Sequence, residues 1–258
     1  MSWASRKQFK YLIIVFGVFL LIVFWVIHPL IFKQPTCNDG KKNGNEVGTD
    51  CGGSCLNICN SEASSPVVVW SRAFPVTGNI YNLIAYVENP NQGVAIPKIN
   101  YEFKIYDTNN KLIGIRDGST YIPPDQQFVI FNPRFNAGQS QVRSVSFDFI
   151  PPFSWQKKKA TLNTLPIVVK NIKYSSDINS SSLSARVEND SIYNLPPFSV
   201  VAILYDKNGN AINVSNTQTS GLQSNTSSYV HFTWPIAFPT IPVKNDILVQ
   251  INPFSISF

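Results

Sequence analysis

The sequence predicts a mainly β protein with one N-terminal transmembrane helix, a disulfide-tied cysteine-rich stalk and two antiparallel β-sandwiches in tandem. Three observations support this prediction. Residues 11–32 form an uncharged apolar run, all four cysteines lie within 37–59, and the rest of the chain repeats itself after about 100 residues. We therefore expect a cytoplasmic tail (1–10), a transmembrane helix (11–32), a stalk (33–65) and two sandwiches (66–160 and 161–258).

The composition limits the classes of function. Aromatic residues make up 13% of the chain, and 18 Pro against one Met favour strands and turns over a helical bundle. Two His argue against zinc-hydrolase and His-dependent triad chemistry. Without the three cations before the apolar run, 18 Lys and Arg face 15 Asp and Glu. This weak positive field does not predict nucleic-acid binding.

The apolar run is long enough for a membrane span. Its 22 residues would cover roughly 33 Å as a helix, against a hydrocarbon core of about 30 Å. A buried soluble helix rarely uses so long an unbroken apolar run. A cleaved signal peptide would end in small residues, which residues 31–35 do not provide. The run is therefore interpreted as an uncleaved anchor in the lipid bilayer.

The orientation of the anchor follows from its flanks. Basic residues are balanced, with three before the run and three soon after it, so their count decides nothing. The short N-terminal tail and the cysteines beyond the run favour a cytoplasmic N-terminus. Residues 33–258 are then expected to be extracytoplasmic at the cell membrane.

The cysteine-rich segment has few apolar residues, so it needs covalent or metal support. In an oxidising compartment, four cysteines predict two disulfides with three possible connectivities. A Cys₄ zinc site is an alternative, although the common spacing of two residues is absent. The residues concerned are Cys37, Cys51, Cys55 and Cys59.

Oxygen-bearing side chains recur every three or four residues between Cys37 and Cys51. Carboxylates and amides spaced in this way are the ligand types that Ca²⁺ takes, although the spacing is not that of an EF-hand. The segment resembles a short cysteine-, Asp-Gly- and Asn-Gly-containing segment of extracellular microbial proteins. A polar stalk without metal is the alternative, and no other cofactor is expected. The candidate Ca²⁺ ligands are Asp39, Asn43, Glu46 and Asp50.

Three blocks reveal the internal repeat. Segments 67–74 and 83–89 match 167–174 and 183–189 at an offset of 100, and segment 105–110 matches 204–209 at an offset of 99. A period this long indicates two copies of one domain rather than a solenoid. Six or seven short strands in each copy predict a two-layer sandwich.

Alternation predicts which side chains are buried. In the first copy Tyr101, Phe103 and Ile105 alternate with charged residues, the pattern of a strand with one buried face. In the second copy the corresponding buried face is assigned to 201, 203 and 205. Segments 107–110 and 206–209 predict hairpin turns, because Asn and Gly tolerate positive φ.

These motifs resemble a known family. The Val-Glu-Asn-Pro-Asn of 87–91 followed by the Ile-Tyr-Asp of 105–107 resembles the FxLYD domain and the related late-embryogenesis-abundant (water-stress) domain. The second copy has the fuller Ile-Leu-Tyr-Asp at 203–206 but has Asp190 in place of the proline. The resemblance implies small immunoglobulin-like or fibronectin-like sandwiches, often anchored to a microbial membrane. It implies no catalytic residues.

Other polar residues predict structural roles. Asp107 and Asp206 are expected to cap their own turns, and His231 to lie in a strand. The lysine run at 157–159 is interpreted as a solvated linker, with contact to anionic headgroups or polymer as the alternative. Four Asn-x-Ser/Thr sequons lie in the second copy, at Asn179, Asn189, Asn213 and Asn225.

These observations predict a non-enzymatic membrane-anchored protein. Its two sandwiches would bind a protein or an envelope polymer, or act as structural spacers. The alternative is an accessory single-pass subunit of a secretion, pilus or transport assembly. An envelope hydrolase would need a buried carboxylate pair among Glu88, Glu102, Asp148 and Glu188.

Overall fold

The structure is a computed structural model that describes residues 3–31, 36–158, 165–177, 180–238 and 242–256. The chain divides into two compact units, Met1–Cys55 and Leu56–Phe258.

The first unit contains the helix α1 (Trp3–Ile31) and most of the cysteine-rich segment. Side chains of α1 are described for residues 11–27, and nearly all of them are apolar and exposed. No helix among the described residues meets the length and apolarity that a membrane span requires. The predicted span continues to residue 32, so its last five side chains lie outside the described ones.

The second unit consists of β-strands. The first module contains β1 (Val67–Thr77), β2 (Ile80–Asn89), β3 (Val94–Asp107), β4 (Leu112–Ile122), β5 (Gln126–Asn136), β6 (Val142–Ile150) and β7 (Gln156–Lys157). A 3₁₀ turn (Asn60–Glu62) precedes it. The second module contains β8 (Ile167–Ser176), β9 (Ser181–Asn189), β10 (Phe198–Tyr205), β11 (Ala211–Thr219), β12 (Thr226–Trp234) and β13 (Lys244–Gln250).

The two modules share one topology. The first has the sheets β1-β2-β5 and β4-β3-β6, with the short β7 paired to β3. The second has β8-β9-β12 and β11-β10-β13, which are the same strands in the same order. The strand pairs are antiparallel. The prediction of a mainly β chain with antiparallel sheets is therefore confirmed.

Each module buries a core between its two sheets. In the first, the inward side chains of β2 and β5 meet Tyr101, Phe103 and Ile105 of β3. In the second, Leu183, Ala185 and Val187 of β9 pack in the same cluster as the inward side chains of β10 and β12. The alternation predicted for β3 is observed, because Glu102 and Lys104 face away from this core.

A third apolar cluster joins the modules. It brings residues of the sheet β1-β2-β5 together with residues of the sheet β11-β10-β13. Four sheets are thus stacked, and the two inner sheets are covered on both faces. This explains why β10 is buried continuously from Val200 to Leu204, since a strand covered on both faces needs apolar residues at every position.

The third cluster corrects the strand assignment in the second copy. Val201 and Ile203 were predicted to face the core of their own sandwich, but they lie in the cluster between modules. Val200, Ala202 and Leu204 face the core of the second module instead. Alternation along one strand cannot predict that a second sheet packs on its other face.

Several predicted loop features lie in ordered structure. Ile58 and Ala63, assigned to the stalk, pack against the first core. Lys157 of the predicted linker belongs to β7 and pairs with Val94, whereas Lys159 lies outside the described residues. Of the sequons, Asn189 and Asn213 are buried, at 0% and 3% exposure, and Asn179 lies outside the described residues.

Candidate functional site

All four cysteines are oxidised. Cys37 forms a disulfide with Cys55, with their Cα atoms 5.6 Å apart, and Cys51 and Cys59 are also disulfide-bonded. The predicted disulfides are confirmed, and they indicate an oxidising environment. The zinc alternative is wrong, because sulfurs joined in disulfides are not available as thiolate ligands.

Asp50 organises the start of the cysteine-rich segment. Its carboxylate accepts hydrogen bonds from the backbone N–H groups of Asp39 and Gly40, both at 2.9 Å. Gly40 has a φ of +71°, a conformation that glycine adopts without strain. The Asp50 carboxylate therefore satisfies two backbone N–H donors in a loop that has almost no apolar core.

The other predicted Ca²⁺ ligands belong to the same network. Asp39 accepts hydrogen bonds from the Lys41 backbone at 2.9 Å and from the Asn43 side-chain amide at 2.8 Å. The Asn43 backbone donates to Glu46 at 3.1 Å. The sequence thus identified four neighbouring residues. The carboxylates of Asp39, Glu46 and Asp50 accept hydrogen bonds from the chain itself, whereas the buried side-chain oxygen of Asn43 accepts none.

Asp39, Glu46 and Asp50 do not form a group of three closely spaced ligand atoms among the described residues. Among the described residues, the group whose potential ligand atoms lie within 4.8 Å of one another is Cys37, Glu46 and Cys55. Two members of that group are the two halves of a disulfide. Calcium binding at Asp39, Asn43, Glu46 and Asp50 stays a prediction.

The acidic residues of the two hairpins cap their own turns. Asp107 accepts hydrogen bonds from the backbone of Asn109 and Lys111, at 2.8 and 2.9 Å. Asp206 accepts from Asn208 and Asn210 at the same two distances. The Asn210 backbone hydrogen bond is the main cause that lowers the pKa of Asp206. Both residues therefore have the predicted structural role.

The carboxylates considered for hydrolysis point away from the cores of their own modules, and Glu88 lies on the face of β2 that carries Ile84 and Tyr86. Lys104 contacts Glu102 at 3.1 Å and Asp148 at 3.9 Å. Glu188 pairs with Lys170 and Arg186, and the Lys170 hydrogen bond lowers its pKa, opposite to what a general acid needs. Glu88 accepts a hydrogen bond from Gln127. None of the four residues is buried.

His231 also lies on an outward face, on β12. Its cross-strand partner in β9 is Ser184. The strand location agrees with the prediction, and the side chain is exposed.

The interface between the modules is the most extensive feature that the sequence did not reveal. Phe74, Ile84 and Val129 of the first module meet apolar residues of the second, namely Val201, Ile203 and Val214. Burying an aliphatic side chain of this size contributes roughly 1.5–3 kcal/mol. The cluster therefore holds two modules together that could otherwise move independently.

Polar contacts surround this apolar cluster. Gln250 donates a hydrogen bond from Nε2 to the carbonyl oxygen of Val129 at 2.9 Å, across the two modules. Trp70 stacks on Tyr86 with the ring centroids 5.4 Å apart, and the guanidinium of Arg72 lies 5.7 Å from the Trp70 ring. The Gln250 hydrogen bond crosses between the modules, whereas the two contacts of Trp70 lie within the first module and shape the surface that it offers to the second.

Two tyrosines of the interface have shifted acidity. Burial is the main cause that raises the pKa of Tyr205, and the Asp246 carboxylate adds to the effect. Burial likewise raises the pKa of Tyr86, with further contributions from Asp246 and Glu88. Both phenols are therefore neutral hydrogen-bond donors over the physiological pH range.

Comparing equivalent positions of the two copies shows which residue changes create the interface. Ile84 and Tyr86 face the second module, whereas their counterparts 100 residues on are Ser184 and Arg186. Val201 and Ile203 face the first module, and their counterparts 99 residues earlier are Glu102 and Lys104. The equivalent positions in the other copy are thus polar or charged and lie on outward faces. Each copy is apolar on one of its two outer faces.

A cavity of about 180 Å³ lies at the edge of this interface. Its walls come from β3, β4 and β5 of the first module and from β10, β11 and β13 of the second. Tyr121 lines it, and burial raises the pKa of this phenol. No Asp, Glu, Lys, Arg or His is present among its lining residues.

A repeated asparagine is the other feature that the sequence reasoning missed. Asn89 donates hydrogen bonds from its amide to the carbonyls of Val94 and Pro123, at 2.8 and 2.7 Å. Asn189 does the same to Tyr193 and Gln223, at 2.8 and 3.0 Å. Both residues end the Val-Glu-Asn block of the repeat, which was the available signal. Each Asn ties two loops to the end of a strand.

Comparison with known proteins gives little further information. No family model and no curated protein matches the chain. A crystal structure of red sea bream transglutaminase aligns with 73% of this chain at 11% identity and a TM-score of 0.23. The chain covers 31% of that protein. A likeness this weak assigns neither a fold family nor an activity, and the resemblance to FxLYD domains stays a prediction.

Proposed function

We propose that this chain is a non-enzymatic, membrane-anchored protein of the cell envelope that holds two β-sandwich modules as one body. In this role it binds or spaces an extracytoplasmic partner, either a protein or an envelope polymer. The observation that carries the proposal is the apolar cluster between the modules, because a flexible pair of binding domains would not need it. The oxidised cysteines support an extracytoplasmic location.

The N-terminal helix supports the anchor. Residues 11–27 carry no charge, and their large apolar side chains are 42–79% exposed, apart from the half-buried Val23. Exposed apolar surface of this extent is unfavourable in water and favourable in lipid. With residues 28–32, the run has the length that a bilayer requires.

The interface is tested with residues taken from the chain's own repeat. Val201→Glu with Ile203→Lys places the charges of Glu102 and Lys104 inside the apolar cluster. Burying these charges costs several kcal/mol, so the modules should separate. Calorimetry of the full chain in detergent should show a joint unfolding transition of the modules in the wild type and two transitions in the variant.

The reciprocal substitution is the matched control. Glu102→Val with Lys104→Ile changes the same positions of the first copy, on an outward face, and should leave the joint transition in place. Two separate transitions in the wild type would refute the proposal that the modules act as one body.

The anchor is tested by adding charge to the apolar run. Leu21→Arg with Ile22→Arg should release the chain from membranes, because an Arg near the bilayer centre costs about 2.5–3.5 kcal/mol on the insertion scale. Val47→Arg, an exposed site in the cysteine-rich segment, is the control. The measurement is retention in the membrane pellet after an alkaline wash. A wild-type chain found in the soluble fraction would contradict the anchor.

A further inference from the structure

The two outer faces of the stack carry opposite charge. In the first module the outer sheet is β4-β3-β6, and three of its carboxylates lie in one row across the three strands. The row consists of Asp117, Glu102 and Asp148, and it points away from the core because directly opposed residues of antiparallel strands share a face. Lys104 lies on the same face and pairs with Glu102 and Asp148. Three carboxylates and one ammonium give this acidic face a net charge of −2.

The outer sheet of the second module, β8-β9-β12, presents a basic face. Lys170 lies directly opposite Arg186, and Lys173 follows on the same side of β8 after a register shift. Glu188 lies on this face as well and pairs with Lys170 and Arg186. Three cations and one carboxylate give the strands of this basic face a net charge of +2, with Asp190 near Lys170 just beyond the end of β9. The two faces are therefore electrostatically complementary.

Each face also exposes large apolar side chains. Ile115 and Ile150 of the acidic face are 44% and 43% exposed, and Val168 and Tyr229 of the basic face are 36% and 58% exposed. In protein–protein interfaces such side chains provide the contacts that exclude water, and the charges around them select the partner. Both faces therefore have the composition of a docking surface for a protein.

The internal interface shows which sheets fit together. It packs β1-β2-β5 of the first module on β11-β10-β13 of the second. By the repeat, the basic face belongs to the sheet equivalent to β1-β2-β5, and the acidic face belongs to the sheet equivalent to β11-β10-β13. The basic face of one molecule and the acidic face of another are therefore the same pair of sheets that already pack inside the molecule. A contact between them continues the stack from one molecule to the next.

Exposed residues of the outer faces occupy positions that are buried in the internal interface. Tyr229 lies 100 residues after Val129, and Ile115 lies 99 residues before Val214, at matching places in the strand register. Val129 and Val214 belong to the apolar cluster between the modules. In the equivalent contact between two molecules, Tyr229 and Ile115 take these places and are both removed from water.

We propose that the basic face of one molecule docks on the acidic face of a second copy of this chain, head to tail. In this contact Asp117 and Lys173, which form no ion pair within the described part of the chain, gain neighbours of opposite charge. Three strands about 30 Å long present roughly 400 Å² per face, about half the roughly 800 Å² of a stable complex, so the association is weak and reversible. Because unlike faces meet, one face stays open at each end and association continues beyond dimers. The inference names a partner for the proposed function and rests on it, since the packed modules supply the template.

Sedimentation velocity of the full chain in an uncharged detergent measures the association. We expect the wild type to associate as its concentration rises, and to do so at least about tenfold more weakly at about 500 mM salt than at about 50 mM, because exposed charges are screened.

Charge reversal on one face at a time tests which faces meet. Asp117→Lys with Asp148→Lys makes the acidic face positive, and Lys170→Glu with Lys173→Glu makes the basic face negative, all at exposed positions. Each double variant then has two faces of like charge, and its self-association should weaken by about tenfold or more. Mixing the two variants should restore association, because the unchanged basic face of the first meets the unchanged acidic face of the second. Lys42→Glu with Lys207→Glu, at exposed positions away from both faces, should associate as the wild type does.

The outcomes separate this docking from the proposed function. A wild type that stays monomeric at low salt but unfolds in a joint transition overturns the docking and leaves the interface between the modules intact. If that monomer binds polyglutamate, the basic face serves an anionic polymer instead of a second copy. Undiminished self-association of either double variant, or no recovery in their mixture, also overturns the docking. Two unfolding transitions in the wild type would overturn the packed modules, and with them the template for this contact.

Discussion

At the scale of single residues, Asn89 and Asn189 do the same work in the two copies. Each is almost fully buried, at 1% and 0% exposure, and donates its amide to backbone carbonyls of neighbouring loops. The hydrogen bonds to Pro123 and Leu222 are buried, so at these carbonyls the Asn side chain takes the place of water. The side-chain amide of the sequon at Asn189 is consequently engaged inside the fold.

We expect Asn189→Ala to lower the free energy of unfolding by roughly 1–3 kcal/mol, because the loop carbonyls lose their donors while still buried. Chemical denaturation of the full chain in detergent measures the change. Asn208→Ala, an exposed side chain in the hairpin turn after β10, is the control and should change stability by less than about 0.5 kcal/mol. Equal effects of the two substitutions would show that the carbonyls find other partners.

At the scale of elements, the cysteine-rich segment is held by a disulfide and by an acidic cap. Asp50→Ala removes the acceptor of the Asp39 and Gly40 amides, and we expect hydrogen exchange at these two amides to rise about tenfold. Lys42→Ala, an exposed change in the same loop, should leave the exchange rates as they are. The measurement is amide exchange by mass spectrometry or NMR on the oxidised full chain.

The same experiment addresses calcium. If Asp39, Asn43, Glu46 and Asp50 bind Ca²⁺, added Ca²⁺ will slow exchange in the wild-type loop, and Asp39→Asn will remove this effect. Exchange rates that do not respond to millimolar Ca²⁺ would contradict the metal prediction. They would leave the carboxylates as caps of backbone donors.

Sequence reasoning predicted the elements well where the information is local. Alternation identified Tyr101, Phe103 and Ile105 as core residues, and Asn and Gly identified the turns that Asp107 and Asp206 cap. It failed for Val201 and Ile203, because a strand covered on both faces has no alternation that distinguishes them. It also missed the cavity, since Asn216 and Gln250 lie on separate strands that come together through pairing with β10.

At the scale of the whole second unit, the repeat predicted two copies of one topology but not how they pack. The topology follows from strands that recur in the same order, which three matched blocks reveal. The packing depends on differences between the copies, at positions where one carries Ile84 and the other Ser184. Aligning the two copies by their similar residues ignores these positions, although the differences there determine the interface.

The order of the two modules in the stack is fixed by which of their outer faces are apolar. The two modules join through unlike faces, so each carries its apolar outer face on a different one of its two sheets. If the order of the modules were exchanged, the face with the Glu102 ion pair would meet the face with the Glu188 ion pair. The apolar faces that now form the interface would then be exposed to solvent. The two modules are therefore not interchangeable, and a third domain added to the stack would lack the apolar interface that holds these two together.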